Sequence, residues 1–284
     1  MISLDVKGCK VDILPIVNGL ISEADRVRQE FTPHEAYAAA LSIEGIQCLK
    51  NRKNIDEMFD VSELDMIYAA HMERFGEVEI PSPAMYTFID LVTEQGQLCL
   101  PLDMNDADFT DLYCETVGAL EFVKEHRIAK KGMKRIFDGS TPEKLAKQWD
   151  DFVNSSMKSY GVLSRKREEH IAAEIVDITR FKKELLVIIE VERVDGVVDI
   201  LRDCNDMRGM RQMQGDGLQV LHQMRRELHR CTCSGTYAGR GEGNAEGIHP
   251  QQVRRTFDGA VIRSMHSQRS RHPHGLRSHH GPLR

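Results

Sequence analysis

The basic side chains of this chain change in kind partway along its length. The last lysine is Lys183, although arginine continues to the C-terminal residue, Arg284. Residues 1–200 contain 24 Lys plus Arg and 37 Asp plus Glu, whereas residues 201–284 contain 14 Arg, no Lys and 7 acidic residues. The regular spacing of apolar residues also stops near residue 203. A folded core is therefore expected only in the acidic part of the chain.

One domain is predicted over residues 1–203. Roughly 200 residues suffice for a single domain with a sizeable core. No fully apolar run approaches the roughly 18 residues that would span a bilayer, and the segment Met1–Lys10 lacks the apolar stretch of a signal peptide. We therefore expect no membrane span and a cytoplasmic location. The seven cysteines are an odd number without regular spacing, which indicates that they are reduced.

Short apolar runs alternate with longer segments of helical spacing, a pattern typical of an α/β domain. The pattern predicts a helix-rich fold in which a mainly parallel sheet is flanked by helices. The predicted strands are 11–17, 36–41, 98–102 and 185–191. The predicted helices begin near residues 22, 44, 64, 84, 109, 142, 164 and 196.

Oxygen-bearing side chains follow the third predicted strand, in the segment 103–108. Their alternation resembles a calcium loop, but Ala107 stands where an EF-hand needs an oxygen donor and Asp108 where it needs glycine. Capping of the next helix by Asp106 or Asp108 is the favoured interpretation. Open α/β sheets place their sites at the carboxyl ends of strands, so Asp103 and Asp106 are also candidate ligand-binding residues.

Well-defined catalytic and nucleotide-binding motifs are absent from the sequence. It contains no GxGxxG, no Walker-type GKS or GKT, no HExxH and no GxSxG. Nucleotide binding and serine hydrolase chemistry therefore have little support.

Three blocks, in order along the chain, resemble the TraB/PrgY family, which includes the Tiki-type proteins. They are ILPIVNGLISEADRVRQEF (13–31), TPHEAYAAALSIEGIQCLK (32–50) and REEHIAAEIVDITRFKKELLVIIEVERVDGVVDIL (167–201). The first resembles the family's opening strand, glycine-containing turn and helix, and the second its apolar strand and following helix. The third resembles an Arg-Asp helix that leads into a strand and a Gly-x-Gly-His turn. The resemblance implies the family's α/β fold.

The residues expected to do the family's chemistry are mostly replaced. Leu20 stands where the family has the histidine of its first turn, and Ala39 and Ala40 stand where its second strand supplies a glutamate. The Arg-Asp pair is represented by Arg167-Glu168, and the last turn reads Glu-Val-Glu-Arg over 190–193. Leucine and alanine bind neither a proton nor a cation, so the resemblance implies a divergent member without the family's catalytic groups.

These observations lead to a ligand-binding hypothesis with no assigned catalytic residue, metal or cofactor. A planar guanidinium at Arg167 could hold a carboxylate or phosphate, or pair with Glu190 or Glu192. The predicted function is binding of a small anionic ligand or a protein partner, and a homo-oligomer is compatible with it. The alternative is a metal-dependent hydrolase with a rebuilt carboxylate and arginine site. The candidate residues are Asn18, Gly19, Asp103, Asp106, Arg167, Glu190, Glu192 and Arg193.

The basic segment 204–284 is rich in Arg, His and Gly and has few clustered apolar residues, a composition typical of disorder. Its arginines would suit nucleic-acid binding through phosphate contacts. Cys231 and Cys233, with nearby histidines, would suit a metal-binding tail. A change of reading frame near residue 203 also explains the loss of lysine, and composition favours this third interpretation over a nucleic-acid arm.

Overall fold

The computed structural model describes residues 1–52 and 62–205. The strands are β1 (Ile2–Val6), β2 (Cys9–Ile16), β3 (Ala36–Ala39), β4 (Cys99–Pro101) and β5 (Glu184–Glu190). The helices are α1 (Ser22–Glu30), α2 (Ile43–Asn51), α3 (Glu63–Met72), α4 (Pro83–Glu94), α5 (Asp106–Thr116), α6 (Ala119–Lys134), α7 (Pro142–Ser156), α8 (Lys158–Thr179) and α9 (Val191–Asn205).

The strands form one sheet in the order β1-β2-β5-β3-β4. The last four in this order run parallel to their neighbours, and β1 pairs with β2 as an antiparallel hairpin. The predicted helix-rich α/β fold with a mainly parallel sheet is confirmed. β1 was not predicted from the spacing of apolar residues. Its hairpin turns through Lys7 and Gly8, both of which have positive φ, as the tight turns that match strand twist require.

Both faces of the sheet are covered. Successive β5 residues point to opposite sides: Leu185 and Val187 pack with residues of α8 and α9, whereas Leu186 and Ile188 pack with residues of α1, α2 and α4. A third apolar cluster joins α3, α5, α6 and α7 to residues that directly follow β2 and β5. These four helices therefore form a lobe beside the carboxyl ends of the strands.

Some local predictions were wrong. The single helix expected to begin near residue 109 is two helices, because the chain breaks helical geometry at Val117-Gly118. Ile21 precedes α1 and forms no side-chain hydrogen bond, so this helix begins without a side-chain cap. The α5 cap is Asn105, which accepts from the N–H of Asp108, and neither Asp106 nor Asp108 caps this helix.

The closing helix begins at Val191, directly after β5, rather than near Gly196. The predicted domain boundary at residue 203 falls within this helix, which extends to Asn205. The hypotheses on the basic tail concern residues that, from 206 onward, lie outside the described part of the chain. Within residues 1–52 and 62–205, no helix is both long enough and apolar enough to cross a membrane.

Candidate functional site

The carboxyl ends of the parallel strands bring most of the predicted residues to one edge of the sheet. Ile16 of β2 pairs in register with Glu190 of β5, so the loop after β2 and the start of α9 lie side by side. The N–H of Asp103, just after β4, donates to the carbonyl of Leu41, just after β3, at 3.1 Å. Asn18, Asp103 and Glu190 therefore project from the same edge, where open α/β proteins bind ligands.

Arg167 of α8 is paired with Asp103. Its Nε donates to Oδ2 of Asp103 at 2.9 Å, its Nη2 donates to the same oxygen, and each side chain is only 2% exposed. Oδ1 of Asp103 accepts from the N–H of Met104 at 2.9 Å. Burial acts to raise the pKa of Asp103, but Arg167 outweighs it and holds the pKa below the ordinary value. Asp103 is thus an ionised partner of Arg167.

Arg193 of α9 is the second buried guanidinium. Its Nη1 donates to Oγ of Ser164 at 3.1 Å, and its Nε has no hydrogen-bond partner among the described residues. Its charge acts to lower the pKa of nearby carboxyl groups on three helices, on β5 and after β4. They are Asp103, Asp150, Glu168, Glu190 and Glu192. Arg193 therefore neutralises part of a carboxyl cluster.

Glu190 is the last residue of β5 and is 4% exposed. Its Oε2 meets no hydrogen-bond partner in the described part of the chain. Burial raises the pKa of Glu190, although Arg193 and Arg167 act to lower it. A carboxyl group shielded in this way favours its neutral form.

Glu192, in the first turn of α9, has a strongly altered acidity. Burial raises its pKa to about 8, the charge of Glu190 adds to the effect, and Arg193 opposes it. Its Oε2 is shielded from solvent and lacks a hydrogen-bond partner within residues 1–52 and 62–205. Glu192 therefore exchanges a proton near neutral pH, where a general acid or base or a cation-binding group operates.

Glu192 and Arg193 line a cavity between the helical lobe and the edge of the sheet. The cavity volume is about 90 Å³, enough for about half a dozen water molecules or a small organic molecule. Trp149, the single tryptophan of the chain, forms part of the wall. The other lining residues are Asn18, Leu64, Asp65, Tyr68, Ala146, Asp150, Val153, Asn154, Tyr160 and Ser164.

The loop after β2 forms another part of the wall. Asn18 is 5% exposed, and its carbonyl accepts from the Tyr68 hydroxyl at 3.5 Å. Gly19 has a φ of +87°, and a Cβ added there would lie 3.1 Å from Cγ1 of Val78. Its carbonyl accepts from the N–H of Glu79 at 2.8 Å. Gly19 therefore shapes the loop through its backbone.

The structure brings together Asp103, Arg167, Glu190, Glu192 and Arg193, and Asn18 lies with Glu192 and Arg193 in the cavity wall. Asp106 stands apart, because it begins α5 with an exposed side chain.

Leu20, Ala39 and Ala40, the positions that the predicted resemblance aligns with a histidine and a glutamate, are buried apolar residues. Leu20 packs in the apolar cluster of the helical lobe. These positions contribute packing to this edge of the sheet.

The cavity residues on the helical lobe were not predicted from the sequence. Tyr68 and Asp65 lie on α3, and Trp149, Asp150 and Asn154 on α7. The spacing of α7 predicted a helix, but no motif distinguished its Trp-Asp pair from an ordinary boundary between an apolar and a polar face. Only the tertiary arrangement assigns these residues to the site.

A second buried polar cluster lies at the opposite end of β2. Asp12, 3% exposed, accepts from Ser3 Oγ at 2.5 Å and from Lys10 Nζ at 2.8 Å, and its Oδ2 lies 2.9 Å from Nε2 of His34. Burial acts to raise the pKa of Asp12, but these hydrogen bonds lower it to about 2. The cluster joins β1, β2 and the segment before β3, and its groups already satisfy one another.

Among the residues that the structure describes, no group of three or more His, Cys, Asp or Glu side chains has an arrangement that could hold a metal ion. A scan against protein-family models, a search of the curated proteins and a search of the solved structures found no match. The TraB/PrgY resemblance therefore stays a prediction, and the geometry of the site is the basis for a functional proposal.

Proposed function

We propose that the protein binds a small polar molecule in the cavity beside Glu192 and Trp149. The observation that carries the proposal is the Glu192 carboxyl group, which lines the cavity with an oxygen that no described residue satisfies. A buried acceptor without a partner costs free energy, so it favours a ligand that supplies the missing hydrogen bond. Tyr68, Trp149 and Asn18 add aromatic and amide contacts of the kind common in ligand sites.

The predicted anionic ligand would need a guanidinium group to receive it. Arg167 is engaged with Asp103, so an anion would compete with a buried carboxylate for the same donors. Arg193 lines the cavity and has an unpartnered Nε, which is the observation in favour of an anion. The surrounding carboxyl groups weaken the attraction of Arg193 for an anion. The predictions of a protein partner and of a cytoplasmic location rest on the sequence alone.

A hydrolase with a rebuilt carboxyl site is the second candidate. Glu192, whose pKa is raised to about 8 by burial and by Glu190, has the acidity of a general acid at neutral pH. Turnover of small ester or amide substrates that Glu192→Gln abolishes would support this alternative. Binding without turnover supports the ligand-binding proposal.

Trp149 provides a direct test, because a single tryptophan makes the intrinsic fluorescence specific for this cavity. The full chain is titrated with a panel of small amines, carboxylic acids, phosphate esters and polyols. We expect at least one class to change the Trp149 emission in a saturable manner. Glu192→Gln should weaken that response, whereas Asp199→Asn, which removes an exposed carboxylate from the same helix, should not. A panel without any saturable response contradicts the proposal.

A further inference from the structure

We infer that the cavity selects a small organic cation, a primary ammonium group on a short alkyl chain. This inference rests on the proposed function and names the chemical class of its ligand. Three helices each supply a carboxyl group to the cavity wall: Asp65 from α3, Asp150 from α7 and Glu192 from α9. Carboxyl groups converging from separate elements on one cavity attract positive charge.

The positive charge of Arg193 opposes the attraction of these carboxyl groups for a cationic ligand. It lines the same cavity, but it also lies within the electrostatic reach of Asp103, Glu168 and Glu190. Its charge is therefore shared among several carboxyl groups, and Arg167 is neutralised by Asp103. Among the residues that line the cavity, three carboxyl side chains, Asp65, Asp150 and Glu192, stand against the single guanidinium of Arg193, which favours an ammonium ion over a carboxylate or phosphate.

The aromatic residues of the wall suit the same ligand. The rings of Tyr68 and Trp149 both line the cavity, and their centroids are 6.4 Å apart. Aromatic faces attract an ammonium group and pack well against an alkyl chain. Leu64, Ala146 and Val153 provide further apolar wall for that chain. The combination of carboxyl groups, aromatic rings and aliphatic side chains matches a molecule with a charged head and a short apolar body.

The partnerless oxygen of Glu192 gives the ammonium group a specific acceptor. An ammonium ion has three N–H donors, so it can satisfy Glu192 and also contact Asp150. In the empty cavity at pH 7 the Glu192 carboxyl is largely protonated, because burial and Glu190 raise its pKa to about 8. A bound cation favours the ionised carboxylate. Binding should therefore release a proton, and affinity should increase as the pH rises from 6 to 8.

Three compounds of equal chain length separate charge from shape: n-butylammonium, 1-butanol and butyrate. Each is titrated into the full chain, with Trp149 fluorescence reporting occupancy. Calorimetry of n-butylammonium binding at pH 7, in two buffers of different ionisation enthalpy, then counts the protons released. Glu192→Gln is the test variant, and Asp199→Asn is the control, which makes the same replacement of a carboxyl group by an amide at an exposed position of α9.

We expect n-butylammonium to bind at least about tenfold more tightly than 1-butanol or butyrate, a difference of about 1.4 kcal/mol. Its binding should release protons at pH 7, and Glu192→Gln should weaken it about tenfold and remove the proton release. Tighter binding of butyrate or 1-butanol overturns the cation assignment while leaving the cavity a ligand site. A response to another compound of the wider panel, but to none of these three, also overturns the cation assignment and leaves the cavity a ligand site. The absence of a saturable change in Trp149 emission with every compound of the panel overturns both the cation assignment and the proposed function.

Discussion

Arg167 and Asp103 form a buried ion pair although 64 positions separate them in the sequence. Arg167 lies on α8 and donates from two nitrogen atoms to one oxygen of Asp103, which follows β4. The pair fixes α8 against the carboxyl end of the sheet. Since both side chains are almost fully buried, removal of either partner leaves the other charge in the protein interior without its hydrogen-bonded counter-ion.

Arg167→Met should lower the free energy of unfolding by about 3–5 kcal/mol, because it leaves the Asp103 carboxylate uncompensated. Chemical denaturation measures the loss. Arg165→Met is the matched control on the same helix, and its exposed pairs with Glu168 and Glu169 predict a cost below about 1 kcal/mol. Equal stability of the two variants would contradict a structural role for Arg167. The double variant Arg167→Met with Asp103→Asn should regain part of the lost stability.

Glu192→Gln should stabilise the protein at alkaline pH. The folded-state pKa of Glu192, about 8, lies above its ordinary value of 4.5, so ionisation of the folded protein costs free energy. The cost grows from pH 4.5 to 8 and is complete above pH 8. The variant should therefore gain on the order of 1–3 kcal/mol at pH 8.5 and little at pH 5, after allowance for solvent screening. A gain that does not depend on pH would be evidence against the raised pKa.

Asp12→Asn should remove a pH-dependent contribution to stability. The folded-state pKa of Asp12, about 2, lies below the ordinary 3.8, so its ionised form stabilises the folded protein above pH 4 and the contribution disappears between pH 4 and pH 2. The corresponding free energy is about 2 kcal/mol. Denaturation at pH 6 should show this loss in the variant, with the difference from the parent vanishing near pH 2. A constant difference across that range would refute the assignment.

Gly132→Ala should disturb Trp149. A Cβ at Gly132 would lie 2.8 Å from two carbon atoms of the Trp149 ring, so the indole must move. We expect a loss of about 1–3 kcal/mol and a shift in tryptophan emission. Gly161→Ala, in α8, is the control with opposite sign, because its added Cβ has no contact closer than 3.6 Å and alanine favours a helix by about 0.5–1 kcal/mol. Unchanged emission in Gly132→Ala would count against the close packing of α6 on α7.

The parallel strands could be predicted because buried strands between two helical layers read as short apolar runs, as 185–191 does. The hairpin strand β1 was missed although Ile2 to Val6 alternates apolar and polar residues, because the run is only five residues long and its turn depends on positive φ at Lys7. The break between α5 and α6 was missed because the apolar spacing continues through Val117-Gly118. Spacing reports which face is buried, and it does not report where backbone geometry changes.

The site was predictable only where it follows strands. Asp103, Glu190 and Asn18 stand at strand ends, and the general geometry of α/β sheets places such positions together. The partner of Arg167 was not predicted to be Asp103, because pairing among several nearby carboxyl groups depends on how α8 packs. Trp149 and Asp150 lie on α7, in the helical lobe. Their place in the cavity wall depends on how the helices pack against one another, and no local sequence pattern specifies that packing.

The most direct test of the ligand-binding account is a pH titration of the Glu192 carboxyl carbon by NMR, assigned with Glu192→Gln, in the free protein and with n-butylammonium. The account predicts a titration midpoint near pH 8 in the free protein, since burial and Glu190 raise the pKa to about 8. It also predicts that this midpoint falls by about one pH unit or more when the cation binds. Such a fall means that the cation binds the ionised carboxylate about tenfold more tightly than the protonated carboxyl group. A midpoint near 4.5 in the free protein, or one that neither n-butylammonium nor any other compound of the panel shifts, would contradict it.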